Sequence, residues 1–397
     1  MNFDFNYYEP VKVFFGKGKL SELGENAKIY GKKALIVTTN TGLFSKKSVL
    51  IDKIRKNLKE SKMESEVFFD VSPNPLSTQV DEGAKFGQKT DCDVIIGLGG
   101  GSAIDAAKGI AIAMGHNKSI WGYCPGTQEE VLSPTARTLP IITISTTSGT
   151  GSHVTPFTVI TNPEKKEKPG LGSEYLFPKF SIVDPELMIS MPPSVTAATG
   201  FDVLAHAIEA YTSNIATPIT DIYCESAIRL VSKYLRNAFN NSNDIEARSE
   251  MALADTYAGF AISMAVITLC HSLSHVVGGL CETVHGETLA AITPQTLRFS
   301  MHKNPLKFRN IGLFLKDRCI KSDSKIIEDM DLEFTVKEVE KLIKDVGLNI
   351  PLSKQGVKES DLEPIAEGTL GYMAIGVEKD LRIADKNDLV EILKKSF

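Results

Sequence analysis

The chain has 397 residues, with 44 lysines and arginines against 49 aspartates and glutamates, 42% hydrophobic and 23% charged residues. That length predicts two domains, or three, with a sizeable core, and the composition excludes a largely disordered chain. The near balance of charge, with only short lysine clusters such as Lys165, Lys166 and Lys168, excludes the broad basic field a nucleic-acid partner requires.

In chain order, the opening Met-Asn-Phe-Asp-Phe lacks a basic region followed by an apolar run, so no secretory signal is expected. Short apolar, β-rich runs follow at 34–39, 66–70, 93–98, 141–145 and 180–183, alternating with helix-patterned segments at 47–62, 78–88 and 103–114. Each segment is long enough for a right-handed crossover, so the first half predicts an α/β nucleotide-binding domain with a parallel sheet.

The run at 93–98 leads into Gly97-Leu98-Gly99-Gly100-Gly101-Ser102 and then a helix. Glycines let backbone amides approach a diphosphate, and the new helix directs its free N–H groups at the same charge. The spacing departs from GxGxxG, because Ser102 stands at the last glycine position and the turn follows about the third predicted strand. An ordinary Rossmann domain is disfavoured, and no Gly-Lys-Ser/Thr follows for a P-loop. A second small-residue turn, Thr146-Thr147-Ser148-Gly149-Thr150-Gly151-Ser152, offers hydroxyls and amides at the end of the run closing at Ser145, where open α/β sheets place their ligands.

After Asp184 the pattern becomes helical, at 219–238, 246–263 and 336–345. Met191-Pro192-Pro193-Ser194 supplies a stop, with Ser194 the expected cap of the next helix. The boundary is placed near residue 187, giving an α/β region at 1–187 and an all-helical region at 188–397. The least charged stretch, 259–280, approaches bilayer-spanning length, but its two histidines and several hydroxyls read as one buried helix. Six scattered cysteines (92, 124, 224, 270, 281 and 319) form no CxxC pair, as expected of reduced thiols in a cytoplasmic protein.

Five of the seven histidines lie between positions 153 and 285. Asp202 and His206 are four residues apart, as are His271 and His275, and residues at that spacing share a helix face. His285 follows ten residues later. Buried imidazoles need partners for both nitrogens, so several of them beside a carboxylate in an apolar region point to a shared metal ion. An oxygen and nitrogen donor set without thiolates suits Fe(II) or Zn(II).

Taken together, Val13-Phe14-Phe15-Gly16, Pro73-Asn74-Pro75, Gly99-Gly100-Gly101-Ser102 with Asp105 and Lys108, Thr146 to Ser152, Thr199-Gly200-Phe201-Asp202 with His206, and His271, His275, His285 and Gly286 resemble the iron-containing (group III) alcohol dehydrogenases, over nearly the whole chain. The resemblance implies a dehydroquinate synthase-like architecture: a sheet domain for NAD(P), an all-helical metal-binding domain, and an active site in the cleft between them. It implies Asp202, His206, His271 and His285 as metal ligands, with His275 beside nicotinamide and substrate. Cofactor contacts are implied at Asn74, Gly100, Gly101, Ser102, Thr146, Thr150 and Lys168. The expected reaction is hydride transfer between NAD or NADP and a small alcohol or aldehyde, in a homodimer or larger homo-oligomer with no nucleic-acid or membrane partner.

Two positions depart from the family pattern. His153 stands where a glutamate is usual, and Glu378-Lys379-Asp380-Leu381-Arg382 replaces an Asn-Pro-Arg segment. At the end of the first predicted strand Thr39 occupies a position that commonly carries aspartate in NAD-preferring relatives. Without that carboxylate to repel a 2′-phosphate, NADP should be used at least as well as NAD. Two rival readings are a dehydroquinate-synthase-like lyase and a non-catalytic nucleotide- or metal-binding protein. The first needs a basic pocket for a phosphorylated substrate, and residues 199–290 carry no lysine and arginine set that matches it.

Overall fold

The computed structural model describes residues 4–40, 48–126, 130–317 and 331–397. Lys47, the first residue of one expected helix, and Cys319 lie outside the described residues. Two compact units are formed, one by Glu9–Ser190 and one by Met191–Phe397 with residues 4–8.

Among the described residues of the first unit, six strands form one parallel sheet: β1 (Lys12–Phe15), β2 (Lys33–Val37), β3 (Glu64–Phe68), β4 (Val94–Gly99), β5 (Ile141–Ser145) and β8 (Phe180–Val183). Between the last two runs a short antiparallel pair, β6 (Phe157–Val159) with β7 (Gly170–Gly172). Sheet order is β1-β8-β5-β4-β2-β3. Ala34 and Ile36 of β2 join Ile96 and Ile142 in one buried cluster, whereas Leu35 and Val37 join Ile95 in another. Both faces of the sheet are therefore covered, which is why its central strands read as continuous apolar runs.

The connecting helices are α1 (Leu23–Ala27), α2 (Val49–Glu60), α3 (Ser77–Lys89) and α4 (Gly101–His116). Chain direction across the sheet reverses at β2 and β4, because β3 lies on one side of β2 and β4 on the other. The carboxyl ends at such a reversal frame the usual ligand crevice of an open α/β sheet. Thr39 and the glycine turn sit at those two ends.

Strands β1, β6 and β7 were not apparent as β-rich runs. β1 is an edge strand that is partly exposed, and β6 and β7 have three residues each. With β1 counted, the glycine turn follows the fourth strand in chain order, not the third.

The second unit is helical: α5 (Pro193–Thr212), α6 (Pro218–Asn240), α7 (Ile245–Ala265), α8 (Leu269–Cys281), α9 (His285–Ser300) and α10 (Pro305–Leu315), followed by Glu333–Asp345 and shorter helices to Lys395. Two expectations need correction here. Ser194 does not cap α5; Pro192 is the cap residue and Pro193 the first helical residue, a position where a missing N–H costs nothing. The stretch 259–280 is not one helix but parts of α7 and α8, which meet at 100°. Val266 at the break has φ 55 and ψ 178, a region occupied almost only by glycine. No Gly or Pro marks the break, so composition concealed it. Among the described residues no single helix is long and apolar enough to cross a membrane.

Candidate metal centre

Three helices of the second unit supply the centre. Helix α5 is buried along almost its whole length from Thr196 to Thr212, which forces its polar residues inward with the rest. Asp202, His206 and Glu209 occupy one face of it at i, i+4 and i+7. His271 and His275 lie in the first half of α8, directly after the bend, and His285 is the first residue of α9.

Asp202 is 3% exposed and its Oδ1 is the point of convergence. His271 Nε2 lies 3.1 Å from it, His206 Nδ1 3.4 Å and His285 Nε2 3.8 Å. Among the described residues no lysine or arginine pairs with this carboxylate. One ligand atom each from Asp202, His271 and His285 falls within 4.8 Å of the others, the spacing of donors around one ion. His206 stands just outside that set, its ring stacked on His271 with centroids 4.3 Å apart. His275 is also inside the cluster, with ring centroids 6.1 Å from His271 and 5.4 Å from His285. A buried carboxylate faced only by imidazoles fits a divalent cation.

Neighbouring residues orient the rings. Ser274 Oγ hydrogen-bonds His285 Nδ1 at 2.9 Å, which leaves Nε2 toward Asp202. Glu209 contacts His271 Nδ1. Burial alone would lower the His271 pKa, but the carboxylates of Glu209 and Asp202 overcome it and push it up to about 9. Metal uptake must then displace a proton from this imidazole.

Sequence reading passed over Glu209, Ser274 and Thr268. Glu209 carried a usable signal, since it follows His206 by three residues on the face already assigned to the metal. Near the chain end, Asp380 is buried and accepts hydrogen bonds from Ser300 Oγ and from the Arg382 N–H, so the unusual 378–382 segment is held against α9. Burial raises the Asp380 pKa, and the Ser300 and Arg382 hydrogen bonds oppose that rise.

In the first unit, most of the residues expected at the cofactor come together. The Asn74 N–H donates to Ser102 Oγ at 3.3 Å, and Lys168 Nζ donates to Asn74 Oδ1 at 2.7 Å. The Thr146 N–H donates to the Gly99 carbonyl at 3.0 Å. A Cβ on Gly101 would meet the Thr150 side chain, which places the two turns in contact here. Thr39 stands just beyond the carboxyl end of β2, the strand beside β4. Helix α4 begins at Gly101 and runs 16 residues, so its positive end opens at the turn.

Behind the turn, Lys108 Nζ donates to the carbonyls of Thr155 and Phe157 at 2.7 Å each, and Asp105 accepts from Ser152 Oγ at 2.6 Å. Burial lowers Lys108 to about 7 against the opposing Asp105 charge. His153 is fully enclosed beside it, and burial followed by the Lys108 charge lowers its pKa to about 3. Burial and the Lys108 charge thus both favour the neutral form of this imidazole.

Both halves of this arrangement match known proteins. Residues 10–185 match the family model described as iron-containing alcohol dehydrogenase, and residues 196–397 match the C-terminal model of the same family. The chain belongs to the iron-containing alcohol dehydrogenase family. It is 35% identical to a 1,3-propanediol dehydrogenase of Citrobacter freundii, over 99% of both chains. An NAD-dependent methanol dehydrogenase of Bacillus methanolicus is 34% identical over 99% of this chain and 100% of its own. Among solved structures, an archaeal halo-thermophilic alcohol dehydrogenase from a Red Sea brine pool superposes with a TM-score of 0.94 at 36% identity, covering 100% of both chains. As a member of this family the chain is an oxidoreductase acting on alcohols, and neither the lyase reading nor the non-catalytic reading is favoured.

Proposed function

We propose that the protein interconverts a small alcohol and its aldehyde, with NADP or NAD as hydride partner and Fe(II) as the working metal, Zn(II) being an alternative occupant. The observation that carries this is the convergence of His206, His271 and His285 on the buried Asp202 carboxylate. These four residues are assigned as ligands, in a metal-binding region at 188–397, and the nucleotide-binding region is assigned to 1–187. When bound, a divalent ion there supplies Lewis acidity, polarising a substrate oxygen and lowering the pKa of its hydroxyl.

The protein's own groups do the rest. Gly100, Gly101 and the amino end of α4 bind the diphosphate, and Ser102, Asn74, Thr146, Thr150 and Lys168 fix the turns around it. His275 is assigned to hold or relay the proton at the substrate oxygen, outside the ligand set. Accordingly, His275→Ala should keep its metal while lowering kcat or shifting the pH profile of kcat; a folded His275→Ala protein that has lost its metal would make His275 a ligand instead. Composition supports a cytoplasmic protein, and a homodimer or larger homo-oligomer with no nucleic-acid or membrane partner is proposed with it.

Thr39 and its neighbour Asn40 can donate hydrogen bonds to a 2′-phosphate and carry no charge to repel it. Steady-state kcat/KM for reduction of small aldehydes, 3-hydroxypropanal among them, tests both the activity and the cofactor. NADPH should serve at least as well as NADH, and Thr39→Asp should shift the ratio toward NADH. A preference for NADH above about tenfold, or ~1.4 kcal/mol, would overturn the cofactor assignment. Absence of turnover with every aldehyde and both cofactors would overturn the function.

A further inference from the structure

Glu209 lies in the last turn of α5 and is 4% exposed, yet no lysine or arginine pairs with it among the described residues. Its described side-chain hydrogen bonds all lead to one place. Oε1 accepts from the main-chain N–H of His271 at 3.0 Å and from Thr268 Oγ1 at 3.3 Å, and Oε2 contacts Nδ1 of the His271 ring.

The first of these contacts concerns the backbone. His271 is the third residue of α8, so its N–H is one of the donors that a helix start leaves without an intrahelical acceptor. Thr268, the N-cap residue, makes no side-chain cap. Glu209 does that work from another helix, at the point where the chain has just bent by 100°. A carboxylate is also favoured there by the helix dipole.

The second contact concerns the ring. An ionised carboxylate only accepts, so the proton of a neutral His271 imidazole resides on Nδ1 and the Nε2 lone pair is left toward Asp202, 3.1 Å away. One side chain therefore fixes where α8 starts, how the ring is turned and which nitrogen is available.

We propose that Glu209 is a positioning residue of the metal centre, holding His271 with Nε2 presented to the ion through two oxygens used on two different donors. The proposal rests on the metal-site reading above. Glutamine is the informative replacement, because it has a single oxygen. Whichever way its amide turns, an NH2 group meets either the His271 N–H or the Nδ1 proton, and the ring escapes by moving its proton to Nε2 or by rotating.

The test uses the full-length protein with zinc and cobalt as probes. Zinc affinity is read by chelator competition and the cobalt site by its visible absorption. Glu209→Gln should bind zinc about 10–100-fold more weakly, the range for lost outer-shell partners of metal-bound histidines, with an altered cobalt spectrum. Thr268→Val, which removes one donor to Oε1 and leaves the carboxylate, should show a smaller weakening of the same kind. Wild-type affinity and spectrum in Glu209→Gln would overturn the role of Glu209 alone. Should Glu209→Gln not fold, Thr268→Val decides, and unchanged affinity and spectrum would overturn it. Failure of the wild-type protein to bind either probe would instead overturn the metal-site reading.

Discussion

Alanine at Asp202, His206, His271 or His285 is expected to strip the metal and most of the activity, with folding largely retained. Four-ligand zinc sites in peptides bind with about 10–16 kcal/mol, so one ligand accounts for roughly 2.5–4 kcal/mol, or about 10²–10³ in affinity. Asp202→Ala should be the most severe. Its Oδ1 is the atom that all three imidazoles approach, and it is the one anion touching them all. Removing it takes from all three imidazoles the carboxylate they share, whereas removing one imidazole leaves that carboxylate still faced by two. His206→Ala should be the mildest of the four, since its ring stands outside the tightest donor set. Metal content by elemental analysis and turnover with a fixed aldehyde decide the matter. Retention of metal and full activity by a His271→Ala/His285→Ala double variant would make the cluster structural.

How much of this was legible in the sequence depended on whether a signal was local. The strands at 141–145 and 180–183 were readable as short runs buried throughout, and the helices after 218 and 245 by their helical period. The histidine pairs were equally readable, since i and i+4 share a face in any helix. What stayed hidden is set by distant packing. Val266 adopts a glycine-like conformation because the chain must turn between α7 and α8, and nothing in its side chain announces it. Likewise the edge strand β1 needs β8, more than 160 residues later, to exist as a strand at all. Glu209 fell between these cases: its helix position was legible, but its acceptors' target, the start of α8, is a tertiary fact. Lys168 belongs to a short lysine cluster in the sequence and was also an implied cofactor contact; its 5% exposure and its bond to Asn74 are tertiary facts.

The closest backbone approach near the centre gives the second large effect, which is expected from Gly286→Ala. Gly286 is the second residue of α9, directly after His285. A Cβ at this position would collide with the main-chain carbonyl carbon and oxygen of Ala198 on α5. Ala198 precedes Asp202 by one helical turn on the same face. The contact between Gly286 and Ala198 is therefore what brings the His285 ring and the Asp202 carboxylate within 3.8 Å of each other. Backbone cannot swing aside as a side chain does, so an added methyl must separate α5 from α9. Overpacking of this kind costs about 1–3 kcal/mol in stability, and the displaced His285 should leave the ligand set. Gly101→Ala provides the contrast, since its new methyl meets only the Thr150 side chain, which can rotate, in the other unit of the chain. Gly286→Ala should lower the urea midpoint and weaken zinc binding at least tenfold, while Gly101→Ala should raise KM for the dinucleotide and leave metal content unchanged. Normal stability and metal content in Gly286→Ala would mean that α5 and α9 can part without disturbing the centre, and that the glycine is not what sets the spacing of Asp202 and His285.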